Sequence, residues 1–557
     1  MQIEILKKNF KGDIENSQEM REKYSHDSSL FEVVPEVVVF PKDTLDVQSL
    51  VRFVVGQKKY PPAGGPQISV TARSAGTDMS GGPLNESIIM DTTRYMNKII
   101  SVDTEKGVAQ PGVYYRDFET ETLKINRIMP AYTASKGICA IGGMVSNNSG
   151  GEKSIKYGKV ERYLQRQKMV FSDGHEYEVR PLTKTQLYAK MGQEDFEGNI
   201  YKNLFELIES NYDVIQAAKP TVSKNSAGYY LWNVWDRTTG IFDLNKLFVG
   251  AQGTLGITVE AELGLVPVPK YSKMVVIYMR KLDRLGEVVD TIMDYEPESF
   301  ESFDDHSMKL AMRFIGDFFK KLGFWKTIRL GLQFIPDILM IIRGGIPKLI
   351  LLVEVTGNDE ELLQTRVKDI TGALKPFRFP TKVAHSGAEV EKYRTIRRES
   401  FALLRSHAKG KRTAPFIDDI IVSPHDMPKF LPELQGILSH YKLDYTIAGH
   451  AGNGNFHIIP LMDLNNPFSS DIILDLSTKV YTLVASYKGS ITAEHNDGII
   501  RTPYLSYMYS PKILELFNKT KEIFDPQNIF NPGKKVGGSF KYITDHLIRS
   551  HNKEHGS

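Results

Sequence analysis

Ile68-Ser-Val-Thr-Ala72, running on into Arg73-Ser-Ala-Gly-Thr-Asp78-Met-Ser-Gly-Gly82, is the stretch on which the reading of this chain turns. A strand-like run passes into a loop of small side chains. Such loops can turn their backbone N–H groups toward an anion with no bulky Cβ in the way. A plain tight turn reads equally well from these residues alone. The loop is not a nicotinamide-dinucleotide fingerprint. Neither Gly250-Ala-Gln-Gly-Thr-Leu-Gly256 nor Gly452-Asn-Gly454 has GxGxxG spacing between strand and helix with an acidic residue about 20 positions on.

Working outward, glycine is dense in three places, residues 76–82, 142–151 and 250–256. Residues 33–40 read as a strand. Asp43 then offers a helix N-cap, with Asp46 at the capping-box position and Val47, Leu50, Val51 and Val54 on one face. Strands are expected at 88–91, 99–102 and 108–110. After Pro267-Val-Pro269 the rhythm changes: strand 273–279, helix 283–293, strand 349–355, a helix from Asp359, strand 419–422, helix 428–440 and strand 456–460. The fold class expected is α+β. It divides into a first domain over 1–269, a second over 270–490 with an antiparallel sheet, and a segment over 491–540 that ends in FDPQNIFNPGK.

The bulk numbers close off several functions. A chain of 557 residues is too long for one core. A formal net charge of +3 gives no reason to expect nucleic acid as a partner. The single cysteine, Cys139, excludes an internal disulfide framework, a cysteine zinc site and an iron–sulfur cluster held by this chain. No apolar run is long enough to span a bilayer, and the N-terminal residues lack an apolar signal core. A cytoplasmic protein is the expectation, with peripheral contact at the inner face of the cell membrane as its variant. That variant rests on residues 306–345, where Phe314, Phe318, Phe319, Phe324 and Trp325 mix with Lys309, Arg313, Lys320, Lys321, Lys326, Arg329 and Arg343. A basic amphipathic helix of this kind suits a membrane interface. It suits equally a helical pair packed over a substrate site.

The strongest chemical signal lies in the C-terminal half. His450-Ala-Gly-Asn-Gly-Asn-Phe-His457 sets two imidazoles on either side of a glycine-rich turn, and Glu494-His495 follows in ITAEHNDG. Two histidines and a carboxylate suit a divalent metal with open positions, leaving His495 to serve as a base. A 2-hydroxy acid could chelate such a metal through carboxylate and hydroxyl, which lowers the hydroxyl pKa. The carbon-bound hydrogen then needs a redox cofactor, because no side chain can accept it.

The order of RSAGTDMSGG (73–82), AIGGMVSNNSGG (140–151), FVGAQGTLGI (248–257), GHAGNGNFH, AEHNDG and FNPGK resembles the vanillyl-alcohol-oxidase/PCMH-type FAD-binding oxidoreductases. Within them it is most similar to the D-lactate, glycolate and D-2-hydroxyglutarate dehydrogenase branch. The resemblance spans nearly all of the chain except about the first 25 residues and the 306–345 insertion. It implies a two-domain PCMH-type FAD-binding fold with an antiparallel-sheet cap domain. FAD, held non-covalently, would be lined by Arg73, Ser74, Ala75, Gly76, Thr77, Asp78, Gly142, Gly143, Ser146, Asn147, Gly150, Gly151, Gly253, Thr254, Gly256, Ile257 and Asn531. The metal, zinc in the first instance, would sit on His450, His457 and Glu494, with His495 as catalytic base. Arg397, with Arg412 as a second candidate, would clamp the substrate carboxylate through a guanidinium fork.

Three departures bear on these expectations. Asn453 stands where relatives carry Asp, and Asn496 where they carry Gly. Ile459 replaces a polar substrate contact of the dicarboxylate-oxidising members, which favours D-lactate or glycolate. Without cluster ligands or a haem motif the electron acceptor is expected to be separate, and the resemblance implies a quinone, a cytochrome, an electron-transfer flavoprotein or oxygen. Two alternatives are an oxygen-using alditol or lactone oxidase, and a non-catalytic flavoprotein subunit.

Overall fold

Val37-Val-Val-Phe40 is buried on every side chain, as a strand covered on both faces must be. The computed structural model, which describes residues 3–59, 67–305, 345–384, 389–390, 393–394 and 410–549, places it in the first of three main sheets. Strands β1 (Asp13–Glu15), β2 (Val37–Phe40), β3 (Val70–Arg73) and β4 (Ile88–Asp91) lie in the order β1-β2-β4-β3. The β2–β4 and β3–β4 pairs are parallel. The intervening helix α1 (Thr44–Lys59) buries Val47, Leu50, Val51 and Val54 against them. Asp43 caps it by accepting from the Asp46 N–H. The Asp46 carboxylate, expected to reach back to its own cap, instead accepts from the backbone N–H groups of Lys11 and Lys42. β2 also starts later than expected, because Pro35 has no N–H to give a ladder.

A second, antiparallel sheet orders β5 (Ile99–Val102), β6 (Lys106–Ala109), β9 (Ile257–Gly264), β7 (Leu164–Val170) and β8 (Glu176–Val179) side by side. Between β6 and β7 runs the short helix α2 (Ile141–Asn147). The glycine-rich loop at 73–82 therefore leaves the end of β3, that at 248–257 leads into β9, and that at 140–151 is built on α2.

The second domain is the expected antiparallel sheet, in eight strands among the described residues. Its order is β13 (Thr381–Ala384), β10 (Tyr271–Met279), β12 (Leu349–Gly357), β11 (Ser299–Asp304), β16 (Asp444–His450), β17 (Asn455–Met462) and β14 (Arg412–Thr413), with β15 (Ile420–Ile421) also on β17. Its back face carries Val275, Ile277, Leu351, Val353, Phe300, Ile447, Phe456 and Ile458. Against them pack α3 (Leu285–Met293), α4 (Glu360–Leu374), α5 (Met427–Ser439) and α6 (Ser469–Ser486) through Val288, Ile370, Leu434 and Val480. Alternation turns Glu301, His450 and His457 to the front face, toward the first domain.

Among the described residues no helix is long and apolar enough to cross a membrane. Residues 306–344 of the amphipathic insertion, and Arg397, lie outside the described residues.

Candidate active site

The candidate site grows from a hairpin. β16 ends at His450, a turn over Ala451–Asn453 follows, and β17 returns through His457. Gly454 closes the turn at φ +72°, and a Cβ there would collide with the Val422 carbonyl oxygen. Neither the conformation nor the space admits another residue. In this register His450 opposes Asn455, so His450 and His457 share one face, with ring centroids 5.3 Å apart.

The loop carrying Glu494-His495 is pinned from beneath by Asp419. One carboxylate oxygen, Oδ2, accepts from the backbone N–H groups of Glu494 (2.7 Å) and His495 (2.6 Å) and from Thr492 Oγ1 (2.8 Å). Asp419 itself adopts φ +69°, which ends the expected 419–422 strand and leaves only Ile420–Ile421 paired. The loop thereby brings His495 against His457, rings stacked at 5.0 Å, and Glu494 Oε2 to 3.4 Å from His450 Nε2.

Each imidazole has a carboxylate on its Nδ1 side. His450 Nδ1 donates to Glu301 Oε1 at 2.6 Å, and His457 Nδ1 to Asp418 Oδ1 at 3.1 Å. His495 Nδ1 stands 2.7 Å from Asp418 Oδ2, close enough for an ion pair though not aligned as a hydrogen bond. Carboxylate partners at Nδ1 leave Nε2 as the working nitrogen, the arrangement that orients metal-ligating and catalytic histidines.

The charges are strongly coupled. Burial alone would lower the pKa of His495, but Asp418 and Asp419 outweigh it and raise it to about 9. His450 is raised in the same way, burial being overcome by Glu301 and Glu494. Burial pushes Asp418 and Glu494 up, yet the neighbouring cations win, and both carboxyls sit well below their ordinary values. Glu494 also accepts at Oε1 from the Lys224 ammonium, at 2.5 Å, with both residues buried.

Whether these residues fit a divalent cation can be tested on their donor atoms. Asp419, His457, Glu494 and His495 each place one ligand atom within 4.8 Å of the others. The set expected from sequence shares His457 and Glu494 with this group and adds His450, which the structure puts beside Glu494 rather than inside the tighter group. Two imidazoles and a carboxylate, with Nδ1 anchored behind, fit a borderline cation such as zinc.

Two of the loops expected to hold FAD touch the other side of the same loop, through Asn147 to Glu494, Gly250 to Asn496 and Gln252 to Gly498. Among the described residues, the backbone N–H groups of Ser74, Ala75, Gly76 and Thr77 meet no protein acceptor, and Gly76 holds φ +66°. A Cβ on Gly143 would touch little, and one on Gly253 nothing at all. Unspent donors bordering open space fit a pyrophosphate. Arg73 contributes differently than its place in the loop suggested. Its guanidinium donates to the carbonyls of Tyr24 (3.2 Å) and His26 (2.7 Å), so it ties down the N-terminal segment behind the loop.

Gly142 packs on Pro111 and Ser74, Gly151 on the Tyr132 carbonyl, and Gly150 on Lys159. Thr254 bonds within its own turn and to Tyr229, Gly256 packs on Phe171, and Ile257 opens β9. The Ser146 carbonyl accepts from the Gln252 N–H. Asn147 spans the two sites: its Nδ2 donates to the Glu494 carbonyl at 2.9 Å, while its buried Oδ1 has no partner among the described residues.

Asn531 packs against the Thr71–Gly82 segment and Gln252. Its Nδ2 donates to the carbonyls of Gly82 (2.9 Å) and Gln252 (2.7 Å), and its Oδ1 accepts from Thr71. Its φ of +40° is one that Asn tolerates and Ala does not. Asn531→Ala is expected to strand two buried carbonyls and lower unfolding stability by about 3 kcal/mol. Denaturant unfolding and flavin retained after gel filtration measure it.

The two departures at Asn453 and Asn496 have structural employment. Asn453 Nδ2 donates to Ser223 Oγ in the first domain. Asn496 adopts φ +69°, as a glycine would, and its Nδ2 reaches the carbonyls of Asn147 and Gly250. Ile459 lies on the His457 face, two residues along β17. Arg412, by contrast, is not brought to the cluster. It pairs with Met462, five residues beyond His457 and on the back-face register, and is exposed. A strand side chain on the wrong side of the pleat cannot reach across the sheet.

Sequence reasoning missed Glu301, Asp418, Asp419, Lys224 and Arg501. The one available hint was the Asp418-Asp419 doublet before an apolar pair. Arg501 is fully buried and donates to the carbonyls of Asn496 and Asp418, bracing the loop from behind.

Two family descriptions match the chain, "FAD binding domain" over residues 35–180 and "FAD linked oxidases, C-terminal domain" over residues 268–535. D-2-hydroxyglutarate dehydrogenase of Escherichia coli (strain K12) is 26% identical over 95% of this chain and 51% of that protein, so the chain spans about half the length of such relatives. Glycolate oxidase subunit GlcD of Bacillus subtilis (strain 168) is 24% identical over 92% of this chain and 91% of its own. D-lactate dehydrogenase of Anaerostipes hadrus is 24% identical over 93% of each. Among solved structures, 4-ethylphenol oxidase from Gulosibacter chungangensis superposes with a TM-score of 0.66 at 16% identity over 97% of both chains. p-Cresol methylhydroxylase gives 0.64 at 15% over 94% of both. Two domains in this order settle the family: the chain belongs to the FAD-linked oxidases that carry an FAD binding domain and this C-terminal domain, is similar to D-2-hydroxyglutarate and D-lactate dehydrogenases and GlcD, and shares its fold with 4-ethylphenol oxidase and p-cresol methylhydroxylase.

Proposed function

We propose that this chain oxidises a small D-2-hydroxy acid to the 2-oxo acid, with His495 as base and a monocarboxylate such as D-lactate or glycolate as substrate. The observation that carries the reading is the junction at Asn147. One side chain of the cofactor loop holds the very backbone that presents Glu494 and His495. A substrate bound over His450, His457 and His495 would therefore stand between the base and the flavin loop.

FAD, when bound, takes the two electrons and the α-hydrogen; a divalent cation on His450, His457 and Glu494, with Asp419 near it, would polarise the substrate hydroxyl. The chain's own residues do the rest. Asp419 fixes the His495 backbone, Asp418 turns its imidazole, and Nε2 accepts the hydroxyl proton. Ile459 on the same face supports a short apolar substrate tail over a second carboxylate, which would lie there unpaired. Arg397 remains our candidate for a substrate clamp from the segment outside the described residues. The loops at 73–78, 142–151 and 253–257, with Asn531, would hold FAD without a covalent link. Domain limits of 1–269, 270–490 and 491–540 would divide the labour in this way. The electrons would pass to a separate quinone, cytochrome or electron-transfer flavoprotein.

The test is anaerobic. D- and L-lactate, glycolate and D-2-hydroxyglutarate are added in turn to the flavin-loaded protein, before and after chelation. A D-hydroxy acid should bleach the flavin band near roughly 450 nm, and chelation should slow that step at least about tenfold. No bleaching by any of the four sinks the substrate assignment. Bleaching indifferent to chelation removes the metal and moves the reading toward the metal-free flavin oxidases.

A further inference from the structure

Lys224 lies in the loop between the 212–217 and 231–234 helices of the first domain, yet its ammonium enters the histidine cluster of the second. It is 4% exposed, and among the described residues the acceptor on its Nζ is Glu494 Oε1 alone. An ammonium carries three donors, so among the described residues two are left unspent in a buried place where that is costly. The contrast with a second buried lysine is direct. Lys159 Nζ donates to the carbonyls of Asn225 and Ala493, to Ser226 Oγ and to Tyr230 OH.

The other cations near the cluster are less free to reach a ligand. Arg501 donates through both terminal nitrogens to backbone carbonyls, with only its Nε unpartnered among the described residues, and Arg412 lies on the back-face register of the sheet. Lys224 is also the cation whose partner has another use. Glu494 is a candidate metal ligand, and its Oε2 already faces His450 Nε2. A cation arriving on Glu494 would compete with the ammonium for the same carboxylate.

Resting on the proposed oxidation, we infer that Lys224 receives the substrate carboxylate and exchanges partners to do so. Without ligands the ammonium neutralises Glu494 as an internal counter-ion. With Glu494 taken by a divalent cation, the ammonium turns its donors to the anionic end of the hydroxy acid. A compact point charge on a flexible stem suits such an exchange, where a planar guanidinium fork would not. Two effects of opposite sign follow. Lys224 weakens the binding of the metal alone and strengthens the binding of the acid.

The experiment uses flavin-loaded, metal-stripped protein as wild type, Lys224→Met and Lys224→Arg. Zn2+ is titrated into it by calorimetry, and the Zn2+-reloaded protein is then given the four hydroxy acids of the substrate panel, read by flavin perturbation and turnover. In Lys224→Met, Zn2+ should bind at least about tenfold tighter, while KM for the acid rises about a hundredfold with a smaller change in kcat. Lys224→Arg, retaining the charge, should keep KM within about tenfold of wild type and shows that the site still folds. If Zn2+ binds Lys224→Met no tighter than wild type, or KM is unmoved, the exchange is wrong while the proposed function stands. If wild type itself neither binds Zn2+ nor reacts with any of the acids, both readings fall.

Discussion

Replacing His495 with alanine is expected to cut turnover about a thousandfold while leaving the flavin content unchanged. Positioned general bases contribute roughly 10²–10⁴ to rate, and the described residues offer no equivalent replacement at that place. His457 is stacked on His495, but its Nδ1 is engaged by Asp418, and it is one of the proposed metal ligands. The loss should fall on kcat rather than on KM, because the proton moves only in the chemical step. Flavin retention is expected because the His495 backbone, not its ring, is what Asp419 holds. Stopped-flow reduction by the substrate that bleaches the wild-type flavin is the measurement. Retention of more than a tenth of the wild-type rate would remove His495 from the role of base.

How much of this was legible beforehand depends on which face of a strand a residue occupies. The back face of the second-domain sheet announces itself, since 273–279 and 349–355 are almost wholly apolar, and both were expected as strands. Ser299–Asp304 and Asp444–His450 were not expected. In Ser299–Asp304 the alternation that marks a strand is broken, because Ser302 and Asp304 share the face of Phe300 while Phe303 lies beside Glu301, and Asp444–His450 ends in small residues and the site's own His450. His450, His457, Glu494 and His495 were legible because glycine and histidine cluster around them in short runs. Lys224 was not, because its loop is some 270 positions from Glu494 and bears no pattern of its own. The loop glycines told where a ligand fits but not what Arg73 does, since its partners are backbone carbonyls that no sequence motif encodes. Arg412 misled for the complementary reason: residue type favoured it, and strand register, which the residue type does not carry, put it on the wrong face.

Asp418→Asn should lower the plateau rate about 10–100-fold and move the acid limb of the pH–rate profile downward by at least about one unit. The sign of the pH effect follows from the charges. Asp418, after the opposing effect of burial, is the largest influence raising His495, and His495 stands at about 9 in its presence. A base works in its neutral form, so activity rises as pH passes through that pKa. Without the Asp418 charge the imidazole loses its proton more easily, and the rise comes at lower pH. A larger neutral fraction at pH 7 would by itself make the variant faster. The expected slowing therefore has to come from orientation. Asp418 faces two imidazoles at once, Oδ1 toward His457 Nδ1 and Oδ2 toward His495 Nδ1. Asparagine can accept from one of them, but it turns an N–H toward the other and asks for the opposite tautomer. One ring must then flip or lose its anchor, and either removes an Nε2 from the site. A variant that is both slower at its plateau and active at lower pH separates these two contributions. A profile that keeps its acid limb in place would show that Asp418 does not set the protonation of the base.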